Sequence, residues 1–245
     1  MYDRLVGKLG KLLANSIVRQ QAILSPGKKI VSFTFDDFPD SAIYNGAKVL
    51  EDFGFRGTFY SSLGLANHND IPSVDSMLNL TERGHELGCH TFSHLSCQKE
   101  DWKTIQKDCD SNKSLAASKG VEFSSFAFPF GEYKPSTKKL MRDMYHSART
   151  VNEGINKKQI DLMGLLSVSI FSDEHAEERV FNWLNKLDLN GGWLIFYTHE
   201  VCLNPTIYGA TPELFSKIVE RVAAMKGVSV MPVKEVVNSH LNIPS

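Results

Sequence analysis

Eight short apolar, β-prone runs recur along the chain with longer segments of helical period between them, and this alternation constrains the fold more than anything else. The runs are IVSFTF (30–35), GTFYSS (57–62), HELGCH (85–90), SFAFPF (125–130), SARTV (147–151), LLSVSIF (165–171), WLIFYTH (193–199) and VSVMPV (228–233). Helical segments are expected over 41–53, 74–83, 100–119, 135–144, 174–187 and 212–225. Strands separated in this way by helices form βα units, which assemble into a largely parallel sheet, and eight is a barrel-like count. The punctuation agrees: TPE at 211–213 supplies an N-cap threonine, a proline at the first helical position and an acid in the first turn.

A chain of 245 residues, 42% of them apolar, can bury one large core, and no linker-like or low-complexity tract divides it. The formal net charge of −1 leaves no electrostatic footprint for nucleic acid. Four cysteines, Cys89, Cys97, Cys109 and Cys202, show no CxxC spacing, so reduced thiols and a cytoplasmic setting are expected. Residues 1–28 read as an N-terminal amphipathic helical segment ahead of a barrel over 29–245. Its longest unbroken apolar run is LLA, too short for a secretory core or a transmembrane span. Leu5, Leu9, Leu12 and Leu13 recur at helical spacing among Lys8, Lys11 and Arg19. Packing of these leucines onto the chain's own domain is expected, with peripheral membrane contact as the alternative.

Where the first run ends, the chain places two carboxylates side by side, Asp36 and Asp37. Buried carboxylates are costly unless compensated, so partners must come from elsewhere. One source is GHELGCHTFSH (84–94), in which His90 and His94 stand four apart. Two imidazoles and one carboxylate supply three ligands and leave a fourth position open, the composition of a catalytic zinc site, although two histidines so spaced are also often an ordinary solvated pair. FAFPFGEY (126–133) ends another strand on a proline-aromatic-glycine turn, and WLIFYTHE (193–200) ends a third on His199. Reacting groups of a βα barrel gather at such strand ends.

Taken in order, TFDD, HTFSH, FAFPFG and FYTH resemble the motifs of the NodB-homology polysaccharide deacetylases, carbohydrate esterase family 4, over about Lys29 to Val237. The resemblance implies a distorted (β/α) barrel of about seven to eight strands in a single domain. It further implies one divalent metal, Zn2+ foremost, held by Asp37, His90 and His94. Asp36 would be the general base and His199 the general acid, with the backbone N–H of Phe130 at the oxyanion. The implied reaction removes the acetyl group of an N-acetylated sugar, which in a cytoplasmic protein would be an intermediate of surface polysaccharide synthesis. Tyr133, Tyr197 and Trp193 are the aromatic residues expected against the substrate.

The chain departs from the family pattern at several positions. Ala127 stands where many members carry an arginine that orients the base, and the aspartate-tryptophan element that partners the acid histidine has no match. Phe38 replaces a glycine, Glu200 follows His199 where aspartate is frequent, and Tyr197 stands where a leucine often lines the acetyl pocket. Two other readings therefore accompany the first: a non-sugar amide hydrolase on the same barrel, and a carbohydrate-binding protein with a degenerate site.

Overall fold

The longest strand of the chain, β2 (Lys29–Asp36), is buried from Ile30 to Asp36, because strands cover both its edges and helices or side chains both its faces. The computed structural model describes residues 2–68 and 71–244; the side chains of residues 2–6 and 8, among them Leu5 and Lys8, lie outside what it describes. Along one edge β2 pairs with β9 (Gly192–Thr198), from Lys29 opposite Gly192 to Phe35 opposite Thr198. Its other contacts are β10 (Val228–Val230), paired with Lys29 to Val31, and β3 (Thr58–Ser61), paired with Thr34 to Asp36. The sheet continues through β4 (Glu86–Cys89) and β5 (Ser125–Ala127) to β6 (Ser147–Arg149), and on the far side to β8 (Val168–Ser169). Every pairing in it is parallel. It curls into a distorted barrel whose two ends approach where Arg149 bridges Leu165.

All eight expected runs contribute strands, and the expected helical segments carry the helices between them. These are α2 (Lys48–Asp52), entered through a π-helical turn at Ala42–Ala47, α3 (Val74–Glu82), α4 (Trp102–Ser118), α5 (Pro135–Met144), α6 (Ala176–Asn190) and α7 (Pro212–Ala223). Local chemistry sets their starts: Asp101 accepts from the N–H groups of Lys103 and Thr104, and Thr211 from that of Leu214. α7 buries Leu214, Phe215, Ile218, Val219 and Val222 on one stripe, each worth about 1.5–3 kcal/mol. Phe215 reaches the rings of Phe33 and Phe35 on β2 at 5.7 Å.

Two features depart from expectation. The N-terminal helix α1 (Tyr2–Ser16) ends well short of residue 28, and Gln21–Leu24 forms a strand, β1. It pairs antiparallel with β7 (Gln159–Asp161) and β11 (Leu241–Asn242) in a second, small sheet; a last helix, α8 (Val233–Ser239), precedes β11. Strands of two to four residues, with only Ala22 and Leu24 buried on β1, give too little periodicity to register in a sequence.

Just before β4, His85 Nδ1 accepts from Gly57 N–H at 3.0 Å, while Nε2 lies 3.0 Å from Glu51. Protonation of Nδ1 would break the first bond, and burial holds the imidazole below its ordinary pKa, against the pull of Glu51. The unfolded chain then binds the extra proton more readily than the folded one, so this contribution to stability is present above about pH 6.5 and is lost as pH falls below it. The melting temperature should therefore drop between pH 7.5 and 5.5, with a smaller drop in His85→Gln; equal drops in both proteins would exclude this histidine as the cause.

Candidate functional site

β2 ends on Asp36, and at Asp37 the backbone turns into the left-handed region with φ 44°. Side chains alternate along a strand, but this turn breaks the alternation and brings both carboxylates to one cavity. Thr91 (φ 62°), His94 (53°) and Phe130 (58°) adopt the same unfavourable region, so four of the six such non-glycine residues among those described stand at this mouth. Each costs about 1–3 kcal/mol and persists only because its surroundings over-determine it. For the His90–His94 loop the determinants are visible. Asp108 on α4 accepts from Phe92 N–H at 2.6 Å and Ser93 N–H at 3.1 Å, and Thr91 Oγ1 accepts from Leu95 N–H at 2.9 Å.

Donor atoms of Asp37, His90 and His94 lie within 4.8 Å of one another. His90 Nδ1 is 2.8 Å from the carbonyl of Ala127, which can only accept, so Nδ1 carries the proton and Nε2 presents its lone pair, 3.7 Å from Asp37 Oδ2. His94 Nε2 is 2.8 Å from the same oxygen, yet not aligned as a hydrogen bond, and it and Asp37 Oδ1 are otherwise unpartnered. Burial opposes ionisation of Asp37, but His90, His94 and His199 outweigh it and hold the carboxyl below its ordinary pKa. Burial likewise lowers the pKa of His90. Two imidazoles and a carboxylate with idle buried donor atoms are the donor set a divalent cation requires.

Asp36 is compensated from an unexpected quarter. The guanidinium of Arg149, fully buried at the end of β6, pairs with Asp36 Oδ2 and leaves Oδ1 buried without a partner. It lies between the rings of Tyr60 and Tyr197, 5.4 and 5.0 Å from their centroids. Ala127, where the family resemblance implies an arginine, is the in-register neighbour of Arg149 on β5.

These groups line one cavity of about 480 Å³, where Asp36, Asp37, His90, His94 and His199 face a wall built from Phe128, Phe130, Val151, Phe171, Tyr197 and Tyr208. His199 follows β9; its Nδ1 is 3.2 Å from the carbonyl of Tyr208, which fixes the proton on Nδ1 and leaves Nε2 free. Of the expected substrate aromatics only Tyr197 lines this cavity. Tyr133 is fully buried, stacked on Phe128 at 4.7 Å, with its hydroxyl bonded to Asn15 and Asn152. Trp193 is buried at the opposite end of β9, donating from Nε1 to Ser32 Oγ at 3.0 Å. Neither lines the cavity, and both pack within the fold.

An α/β barrel with two carboxylates and three histidines at its strand ends defines a hydrolase-like site. The polysaccharide deacetylase family profile matches residues 24–148, just over half of the chain, and the protein belongs to that family. A curated relative, the bifunctional xylanase/deacetylase of Pseudobutyrivibrio xylanivorans, is 27% identical over 104 residues, 42% of this chain; the match spans 17% of that much longer protein. Among solved structures, a Mycobacterium smegmatis protein assigned as a polysaccharide deacetylase superposes with a TM-score of 0.64 at 18% identity, covering 89% of this chain and 94% of its own. A family 4 acetyl xylan esterase from Clostridium thermocellum, solved with a cobalt ion, gives 0.59 at 19%, covering 86% and 91%. At such identities the likeness is one of fold.

Proposed function

We propose that this protein is a divalent-metal-dependent deacetylase that hydrolyses the acetamido group of an N-acetylated sugar. The observation that carries the reading is the convergence of Asp37, His90 and His94 on one point of a cavity that Asp36 and His199 also face. Asp37, His90 and His94 would hold the ion, and two nitrogens with one oxygen favour Zn2+. Such an ion, when bound, supplies polarisation of the acetyl carbonyl and a lowered pKa for water beside it.

The remaining chemistry falls to the chain. Asp36, pinned through Oδ2, takes the proton of the attacking water on Oδ1. The oxyanion of the tetrahedral adduct receives the N–H of Phe130, a type of donor worth about 3 kcal/mol to a barrier. His199, oriented by Nδ1–H donating to the Tyr208 carbonyl, acts as the imidazolium: with a second proton taken up from solvent on Nε2, it gives that proton to the leaving nitrogen as the C–N bond breaks, since an amide anion is too poor a leaving group. Tyr197 and Phe171, edge to face at 5.3 Å, wall the acyl side. Substrates that suit this reading are nucleotide- or lipid-linked amino sugars and repeat units of a surface polysaccharide. Arg149 beside Asp36 and the Tyr208 carbonyl beside His199 support this reading over a degenerate site, since each stands where the sequence motifs lack a partner.

Acetate release from a panel of N-acetylated sugars tests the proposal. Asp36→Asn should lower the rate by about 10²- to 10⁴-fold, and stripping with a chelator should abolish it until a divalent ion is returned. Turnover that survives both treatments would refute the mechanism, and inert sugars with hydrolysed cyclic amides would replace the substrate class.

A further inference from the structure

α1 lies on the domain by the side its sequence would have turned outward. Gly7, Gly10, Lys11 and Ala14 face the protein, with Ala14 fully buried; a Cβ on Gly7 would stand 2.6 Å from the Gln98 side chain, whose Nε2 donates to the Gly7 carbonyl at 2.7 Å. Lys138 Nζ closes the helix end, donating to the carbonyls of Ala14 and Ile17, each at 2.8 Å. The opposite arc carries Leu9, Leu12 and Leu13, and Val18 follows, all of them 52–65% exposed. Gly7, Gly10 and Ala14 seat this helix, so Leu9, Leu12 and Leu13 are left for something else.

We propose that this face of α1 is a peripheral membrane anchor that lies flat on an anionic lipid surface. Charge selects the occupant. The first nineteen residues hold Arg4, Lys8, Lys11 and Arg19 against one acid, Asp3. Lys11 lies over the Tyr133 ring and Arg19 donates to the Pro135 carbonyl, so the charge belongs to the segment as a whole and not to the leucine face itself; a basic segment with an apolar outer arc fits anionic headgroups. No helix among the described residues is long and apolar enough to cross a membrane.

The placement joins the anchor to the cavity. The inner side of α1 touches Gln98, while Asn15 at its end bonds Tyr133 and Asn152; these residues belong to the loops that follow β4, β5 and β6. At the same barrel end, Phe130 on the cavity rim and Leu203 and Ile207 in the loop after His199 are 63–82% exposed. A surface bound by α1 therefore lies beside the cavity mouth. The inference concerns binding alone and holds whether or not the site deacetylates sugars.

Co-sedimentation of the full chain with phosphatidylcholine vesicles, with and without about a third of phosphatidylglycerol, tests it. Pelleting is expected with the anionic vesicles only and should reverse in high salt. Leu12→Glu/Leu13→Glu should cut the bound fraction about tenfold with an unchanged melting temperature, since both side chains are more than half exposed. Leu9→Gln should give a smaller loss and serves if the double variant misfolds. Absence of pelleting, or equal pelleting of wild type and both variants, would overturn the proposal. So would a wild-type dimer in solution that the double substitution makes monomeric, because the face would then join two copies.

Discussion

Purified His90→Ala protein is expected to carry no stoichiometric divalent metal and to release no measurable acetate, whereas His199→Ala should keep the metal and lose only rate. The contrast follows from where each imidazole points. His90 is oriented before any ion arrives, because its Nδ1–H is committed to the Ala127 carbonyl and its Nε2 is directed at Asp37. Removal leaves two donors, Asp37 and His94, too few to compete with water for a catalytic ion. The loss of affinity should exceed the roughly 10- to 100-fold that accompanies loss of a merely supporting hydrogen bond. His199 lies outside the cluster of three and is held by the Tyr208 carbonyl. Its removal takes away a proton donor, an effect of about 10²- to 10⁴-fold on rate. Elemental analysis of the two variants, with circular dichroism to confirm folding, reads the difference; equal metal loss in both would show that the roles are misassigned.

How much of this site can be read in the sequence depends on how local each part is. His90 and His94 are separated by one loop, and Asp36 and Asp37 by none, so their grouping survives as a motif. His199 is legible because it ends a long apolar strand. Arg149 is not, since its pairing with Asp36 spans 113 residues and depends on the way the sheet curls to bring β6 back towards β2. Gly88 on β4 makes room for it: a Cβ there would stand 2.5 Å from the Tyr60 ring that packs on the guanidinium. The carbonyl of Tyr208 is invisible for another reason: a backbone acceptor has no residue type to betray it. Tyr133 and Trp193 mislead because aromatic residues at motif ends serve packing as often as binding, and only burial separates the two uses. The outward leucines of α1 show the same limit, for periodicity reveals that a helix has two faces but not which one the domain takes.

Replacement of Arg149 by methionine should be the most damaging single change away from the proposed metal ligands. It leaves the Asp36 carboxylate buried and uncompensated, a loss of about 3–5 kcal/mol when one partner of a buried pair is removed. The melting temperature should fall and kcat should drop far more than KM rises, since the base loses its charge partner and its fixed orientation while the cavity wall stays. Arg149→Lys should fare only partly better, for an ammonium keeps the charge but neither the planar fork nor the stacking between Tyr60 and Tyr197. The register of the sheet supplies a sharper check. Ala127 and Arg149 are direct neighbours on parallel strands and project to one face, so both can serve the same interior space. Ala127→Arg alone should crowd that space and destabilise the protein. In an Arg149→Ala background the same substitution should restore part of both rate and melting temperature. An Arg149→Met enzyme with full rate would show that Asp36 needs no cation, and a double variant that regains stability without rate would reduce the arginine to a structural ion.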